Sequence, residues 1–354
     1  MKHLVLAAAA ASLALPVTAQ EPVPNPSPGE IAAAAPASDW VAIAPSELLV
    51  MDLAPDATGK ARRVVIQLMP APFSQGWIGN IRKLAAAHWW DGTSINRVQD
   101  NYVVQWGDAT EKKALPEGLM TVPESGYVTT SDAISEANAK HLDLVGGGES
   151  ALAAALSAEA AAVKSENNAA QFSIDGTRTK AAPGGWHERD SYTSWVEIFN
   201  GWPVAAEQSG EGVWHYWPVH CYGAVGVGRN MSPDTGSGAE LYTVIGEAPR
   251  HLDRNIALVG RVITGMEYLT SLPRGTGALG FYEDAAQRVP IRSIRMANEL
   301  SQDDQPKFEI LSTDSVTFHR YVEARANRRD PFFIKPAGGV GICNIPVPVR
   351  MAPK

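Results

Sequence analysis

A chain of 354 residues that is 45% hydrophobic and 19% charged has the make-up of a folded protein, with enough chain for one large domain or two ordinary ones, and not of a disordered, collagen-like or disulfide-dense one. Its net charge of −8 argues against nucleic acid as a partner, because phosphate binding needs a concentrated cationic face and no long Lys/Arg run is present. Two cysteines exclude a zinc ribbon or another Cys-rich metal centre.

The first residues read as an address. Lys2 supplies a positive end, Leu4 to Leu15 form an apolar run, Pro16 breaks it, and Val17-Thr18-Ala19 resembles a small-x-small cleavage site. The run is shorter than the roughly 20 apolar residues that span a bilayer, no Cys lies near the cut to carry a lipid, and no later stretch is apolar enough to span. Residues 1–19 are therefore expected to be a signal peptide, and the mature protein periplasmic or secreted without a transmembrane segment. Residues 20–45 are Pro/Ala-rich; Pro22, Pro24, Pro26, Pro28 and Pro36 can neither pair in a ladder nor propagate a helix, which predicts an extended tether.

Strands are predicted at Leu48–Leu53 and Arg62–Met69, with turn chemistry between them at Pro55-Asp56-Ala57-Thr58-Gly59. Ser74 is placed to cap a helix whose buried face is Trp77, Ile78, Ile81, Leu84, Ala85 and His88. Two short strands follow at Ser94–Val98 and Tyr102–Trp106. Later strands are expected at Tyr222–Gly228, Glu240–Ile245, Ile256–Val262 and Ile291–Ala297, with a short helix at Met266–Leu272. Eight strands and two helices in no βαβ order predict a mainly β protein, an antiparallel barrel or sandwich with helices at its ends.

The run Ser94-Ile95-Asn96-Arg97-Val98-Gln99-Asp100-Asn101-Tyr102-Val103-Val104-Gln105-Trp106-Gly107-Asp108 resembles the cyclophilin signature F-H-R-x4-F-x-x-Q-x-G-D. Gly238-Ala239-Glu240-Leu241-Tyr242-Thr243 is similar to that family's G-S-Q-F-F-I. Leu252-Asp253, followed by Val259-Gly260-Arg261-Val262, is similar to its L-D-x5-F-G-K-V, and Gly265-Met266-Glu267 matches the start of its closing helix. The resemblance covers roughly residues 46–112 and 219–298 in the family's order. It implies an eight-stranded antiparallel cyclophilin-like barrel capped by two helices over residues 46–298. It also implies a peptidyl-prolyl cis-trans isomerase acting on proline-containing polypeptides, here exported ones, without metal or cofactor. The oligomeric state is left open.

The chemistry stands without the family. Rotation about an X-Pro bond loses amide resonance, a barrier of about 18–20 kcal/mol, yet no bond to carbon is made or broken. A fixed cation that hydrogen-bonds the prolyl nitrogen as it pyramidalises, beside an apolar seat for the ring, helps chiefly in the twisted transition state. Arg97 on a strand is that cation, its planar fork being better suited than a lysine. By the resemblance, Tyr102, Val103, Tyr242 and Leu252 line the proline pocket, His251 and Ile256 stand at its edge, and Gly228 and Glu240 lie beside it. Gln105 holds the substrate backbone and orients Arg97. Several positions depart from the family: Ile95-Asn96 replace Phe-His, Glu240 a Gln, His251 a Trp, Ile256 a His and Val259 a Phe. Glu240 is thereby expected to bring a carboxylate near Arg97, competing for its donors or attracting substrates with basic neighbours. A module that grips proline segments without isomerising them is the alternative.

Other signals are weaker. Asp234-Thr235-Gly236-Ser237 spells an aspartic-protease loop, but a second copy is missing and a Gly-rich turn is the better reading. Gly223, Gly226 and Gly228 do not form a dinucleotide fingerprint. His187, His215 and His220 lack the Cys or carboxylate partners of a metal site. Cys221 and Cys343 can pair in an oxidising compartment or remain two buried thiols. Residues 113–218 are long for the family's connection at this point, and a partly helical insertion is expected. Gly146-Gly147-Gly148 precede an Ala-rich helical stretch at Ser150–Ala170, and Trp186, Trp195, Trp202, Trp214 and Trp217 mark a folded second half that either walls the groove or widens the core. In the C-terminal extension, residues 299–354, Asp314-Ser315 caps a helix with Phe318, Tyr321 and Val322 on one face, and Asn344–Pro353 should run extended.

Overall fold

The structure is a computed structural model that describes residues 25–136, 187 and 190–353. Eight strands close into a barrel: β1 (Leu48–Leu53), β2 (Arg62–Leu68), β3 (Ser94–Val98), β4 (Val103–Gly107), β5 (Ala224–Val227), β6 (Leu241–Val244), β7 (Leu258–Thr264) and β8 (Val289–Met296). Around the wall the order is β5-β6-β4-β3-β8-β1-β2-β7, and every neighbouring pair is antiparallel. These are the eight strands expected from the sequence, with ends shifted by a few residues. The β1–β2 turn is held by Asp56, whose carboxylate accepts from the backbone of Thr58 and Lys60, while Gly59 takes a positive φ.

Strand β1 is apolar on both faces, and both are covered. Leu49, Met51 and Leu53 point into the barrel core with Val64, Ile66 and Leu68 of β2. Leu48 and Val50 face outward into a second core with Val65, Ile43, Ala297 and Phe308. The Gln75–Ala86 helix sends Trp77, Ile78, Ile81, Leu84 and Ala85 into the main core. His88 is not part of that face: it lies past the helix end, at φ 53°, with its side chain exposed. Ser74 precedes the helix as expected but its side chain makes no capping bond; the Gln75 amide instead donates to the Met69 and Phe73 carbonyls. The second helix, Met266–Thr270, follows Gly265, where a Cβ would stand 2.4 Å from the Arg63 carbonyl oxygen.

The described part of the stretch between β4 and β5 is mostly a sheet, with short helical turns; the helical stretch expected from the sequence lies outside the described residues. Thr129–Thr130, Trp195–Phe199, Trp202–Gln208 and Trp214–Pro218 form four antiparallel strands. Residues 131–136 are helical; Gly146–Gly148, Ser150–Ala170 and Trp186 lie outside the described residues. Phe199, Trp202 and Val204 enter the main core, and Val196, Ala205 and Trp217 build a smaller one with Val219 and Ile342.

The prolines of the expected tether mislead from residue 28 onward. Ser27 and Glu30 form a capping box, Pro28 occupies the first turn where its missing N–H costs nothing, and Pro28–Ala33 is helical. Trp40–Ala42 then pairs with Phe308–Leu311, which pairs with the edge strand Val349–Met351. The Val316–Ala326 helix starts at Ser315, whose side chain accepts from the Phe318 N–H, and buries Phe318, Tyr321 and Val322. Among the described residues no helix is long and apolar enough to cross a membrane.

Cys221, just before β5, is joined to Cys343 of the C-terminal extension, closing a loop with a sequence separation of 122. Replacing both by serine is expected to lower the urea-unfolding free energy by about 2–5 kcal/mol, the range for a cross-link that restricts the unfolded chain. Denaturation under non-reducing conditions checks it, and equal midpoints would show that the tail is held by packing alone.

Candidate active site

A bulge in β3 aims the first candidate side chain. Ile95 pairs with Trp106 and Arg97 with Gln105, so Asn96 is an extra residue on one strand. Ile95 and Val98 both reach the core although they are three apart. Without the bulge Arg97 would share the inward face of Ile95; with it, Arg97 emerges outside. On that outer face the ladders set Arg97 opposite Gln105, Gln105 opposite Tyr242, and Tyr242 opposite Gly226. Gly226 is needed there, since a Cβ would sit 2.3 Å from the Tyr242 hydroxyl oxygen.

Arg97 is fixed on every side. Its Nη1 donates to Gln105 Oε1 at 3.1 Å, its Nε to the Leu279 carbonyl at 2.7 Å, and its Nη2 to Gln99 Oε1. The guanidinium lies between the rings of Tyr102 and Phe281, at 5.7 and 5.4 Å from their centroids. Three of its five N–H groups are thus engaged, which leaves two able to meet a ligand. Burial lowers its pKa, but a guanidinium stays charged at any working pH. The segment carrying Leu279 and Phe281 lies along β3, with Gly275 N–H donating to Val98 O and Tyr282 N–H to Asn96 O.

Around Arg97 opens a groove of about 850 Å³. Of the site residues expected from the sequence, Arg97, Tyr102, Val103, Gln105, Gly228, Glu240, Tyr242, Leu252 and Ile256 line it. His251 does not: it is exposed and belongs to a short 3-10 turn whose neighbour Leu252 faces the groove instead. Gln99, Leu279 and Phe281 were not anticipated. Gly275, Gly277 and Gly280 around Leu279 are a turn signal, but nothing local shows that the turn closes on an arginine 182 residues away.

Glu240 occupies a different place from the one expected. Its carboxylate accepts from the Asp108 N–H at 2.7 Å and fills the space over Gly107, where a Cβ would lie 1.9 Å from Oε1. Among the described residues no carboxylate pairs with Arg97, so Glu240 does not compete for its donors. The remaining side signals resolve into structure. Asp234 closes a turn by accepting from the Asn230 and Gly236 N–H groups. His187 stacks on Trp195 and meets the Val196 carbonyl, and His220 is buried against Asp253 and Tyr242.

The sequence model described as "Cyclophilin type peptidyl-prolyl cis-trans isomerase/CLD" matches residues 57–296, more than half of the chain. The chain belongs to the cyclophilin-type peptidyl-prolyl cis-trans isomerase family. It is an enzyme of that class. Among solved structures, cyclophilin AquaCyp293 from Hirschia baltica superposes with a TM-score of 0.56 at 20% identity, over 89% of this chain and 95% of its own, a likeness of fold. A cyclophilin-type isomerase from Cryptosporidium parvum, determined in the presence of the dipeptide Ala-Pro, gives a TM-score of 0.33 at 10% identity, over 70% of this chain and 98% of its own. No curated protein matches the sequence.

In this cyclophilin the carboxyl that replaces the family's glutamine is half-buried. Burial raises Glu240 to about 7, against the pull of the Asp108 N–H and the Gln105 and Asn96 side chains; the nearby Asp108 charge raises it further. Asp108 itself is pushed up by burial but held at about 2 by the backbone N–H groups of Lys113, Thr110 and Lys112 and by the Thr110 hydroxyl. The consequence for stability has a definite sign. At low pH Glu240 is neutral in folded and unfolded chains alike. As pH rises past 4.5 the unfolded chain releases the proton, whereas the folded chain keeps it until about 7. Stability therefore falls across that window and the deficit is complete above it. Glu240→Gln removes the deficit, so the mutant should gain up to about 3 kcal/mol over wild type between pH 4 and pH 8. Urea midpoints of both proteins across that range test this; parallel pH curves would refute it.

Proposed function

We propose that this cyclophilin isomerises prolyl bonds of exported polypeptides, in the periplasm or outside the cell, with Arg97 as its catalytic group. The observation that carries the reading is the fixation of Arg97 by three acceptors and two rings beside the apolar side chains of the groove. Tyr102, Val103, Tyr242, Leu252 and Ile256 offer the prolyl ring an apolar seat. Gln105 steadies the arginine and, with Gly228 beside it, faces the substrate backbone. As the amide twists, its nitrogen becomes pyramidal and acquires a lone pair. The two free N–H groups of Arg97 meet that developing acceptor, and no side chain must reorganise to do so. Rotation breaks no bond, so the step needs neither nucleophile nor metal. The export half of the proposal is supported by residues 1–19, which read as a cleavable signal peptide.

Arg97→Ala is expected to lower kcat/KM on a short X-Pro peptide in a protease-coupled assay by about 30- to 1000-fold, equivalent to roughly 2–4 kcal/mol of lost transition-state stabilisation. Its thermal midpoint should change little, since the side chain supports no core. A near wild-type rate would remove Arg97 from the reaction. Separately, N-terminal sequencing of protein from fractionated cells should find a mature chain beginning near Gln20 outside the cytoplasm. Cytoplasmic protein still carrying Met1 to Ala19 would overturn the assignment of location.

A further inference from the structure

The turn that carries Leu252 is gripped from behind by the stretch between β4 and β5. Arg250 donates from Nη1 and Nη2 to the two carboxylate oxygens of Asp190, at 2.7 and 3.0 Å, and from Nε to Asp253 at 2.6 Å. The Tyr192 ring lies 4.9 Å from its guanidinium. Asp253 also accepts from the backbone N–H and the Nδ1–H of His220, at 3.0 and 2.8 Å. His220 Nε2 meets the Tyr242 hydroxyl at 2.9 Å. A carboxylate only accepts, so Nδ1 carries a proton toward Asp253, and Nε2 and the Tyr242 hydroxyl form the next hydrogen bond of the chain. The chain of contacts is buried throughout: side-chain exposure is 6% for Arg250, 9% for Asp190, 6% for Asp253 and 1% for His220.

Asp253-His220-Tyr242 has the outline of a nucleophile relay, but burial drives the Tyr242 pKa well above its ordinary value, the wrong direction for a tyrosinate. Its two ends point to a different role. Leu252 and Tyr242 both line the groove, and Asp190 belongs to the stretch between β4 and β5. Isolated buried ion pairs add little net stability, because desolvation offsets their attraction; what such a fully bonded cluster defines is geometry.

We propose that Asp190, Arg250, Asp253 and His220 are positioning residues that hold the Leu252 wall and the Tyr242 ring of the proline pocket at a fixed separation, so that the inserted stretch sets the enzyme's affinity for prolyl substrates without touching them. This rests on the reading of the groove as the proline site. None of the four meets the amide being twisted, so the effect falls on binding rather than on the chemical step.

The test compares wild type, Asp190→Asn, His220→Asn and the double variant, on a short X-Pro peptide at a temperature well below each thermal midpoint. Each single change is expected to raise KM by about three- to thirty-fold, the scale of coupling through such networks, with kcat within about twofold of wild type. Because both act through one chain of contacts, the double variant should show about the larger single effect rather than the product of the two. Lowered midpoints with unchanged KM would mean that the cluster only supports the fold, and multiplying effects would mean two unrelated contributions; either result overturns the proposal. Should Asp190→Asn fail to fold, His220→Asn decides alone, since it keeps a donor to Asp253 and the whole Asp190–Arg250 pair while releasing the Tyr242 hydroxyl. A wild type that turns over while both variants keep its KM refutes the positioning role alone; a wild type without turnover refutes the reading of the groove beneath it.

Discussion

In a closed barrel each strand residue points either into the core or out of it, and neighbours must alternate; the extra residue Asn96 breaks that alternation in β3, and the outer groove follows from the break. Ile95 and Val98 keep the core filled on either side, while Arg97 is released to the outside. From there the ladder registers do the rest. Because hydrogen-bonded partners on adjacent strands share a face, Arg97, Gln105, Tyr242 and the gap left by Gly226 fall in one row across four strands. A cation, an amide and an aromatic ring are thereby placed side by side without any loop having to be positioned.

The electrostatic character of the row depends on what it lacks. A guanidinium satisfied by a carboxylate would have its field largely cancelled; Arg97 is instead held by two amide oxygens and a backbone carbonyl, which fix its direction and leave its charge. The acidic groups nearby are occupied elsewhere, Glu240 by the Asp108 N–H and Asp108 by the turn that follows it. Glu240 replaces an uncharged residue of the family at little electrostatic cost to Arg97 because burial keeps much of it protonated near neutral pH.

The barrel was legible in the sequence because its strands are short, β-branched and separated by turn residues, and because the arginine, tyrosine and glutamine of the signature lie within one hairpin. The rest depends on contacts that no local window contains. Leu279 and Phe281 reach Arg97 from a turn far along the chain, and Asp190 reaches Arg250 across 60 residues. His251 was drawn into the site by alignment alone, and the turn that exposes it while presenting Leu252 has no sequence signature. The segment around Ser27 is a case of a visible signal outweighed: its S-x-x-E capping box was present, but the density of prolines suggested extension, although Pro28 at the first helical position is compatible with both. The inserted sheet was hidden by Pro203 and Pro218, which look like breaks yet sit within its strands.

The small sheet that joins the two ends of the described chain bears on the order in which the protein can be completed. Trp40 is matched with Leu311 and Ala42 with Glu309, and Phe308–Leu311 is in turn flanked by Val349–Met351. Trp40–Ala42 is made long before its partner Phe308–Leu311. Until then Trp40–Ala42 has no ladder to join, and the outward face of Leu48 and Val50 stands without Phe308 to cover it. This seam is therefore a pairing between strands far apart in the sequence, the kind of contact whose closure is slow for entropic reasons.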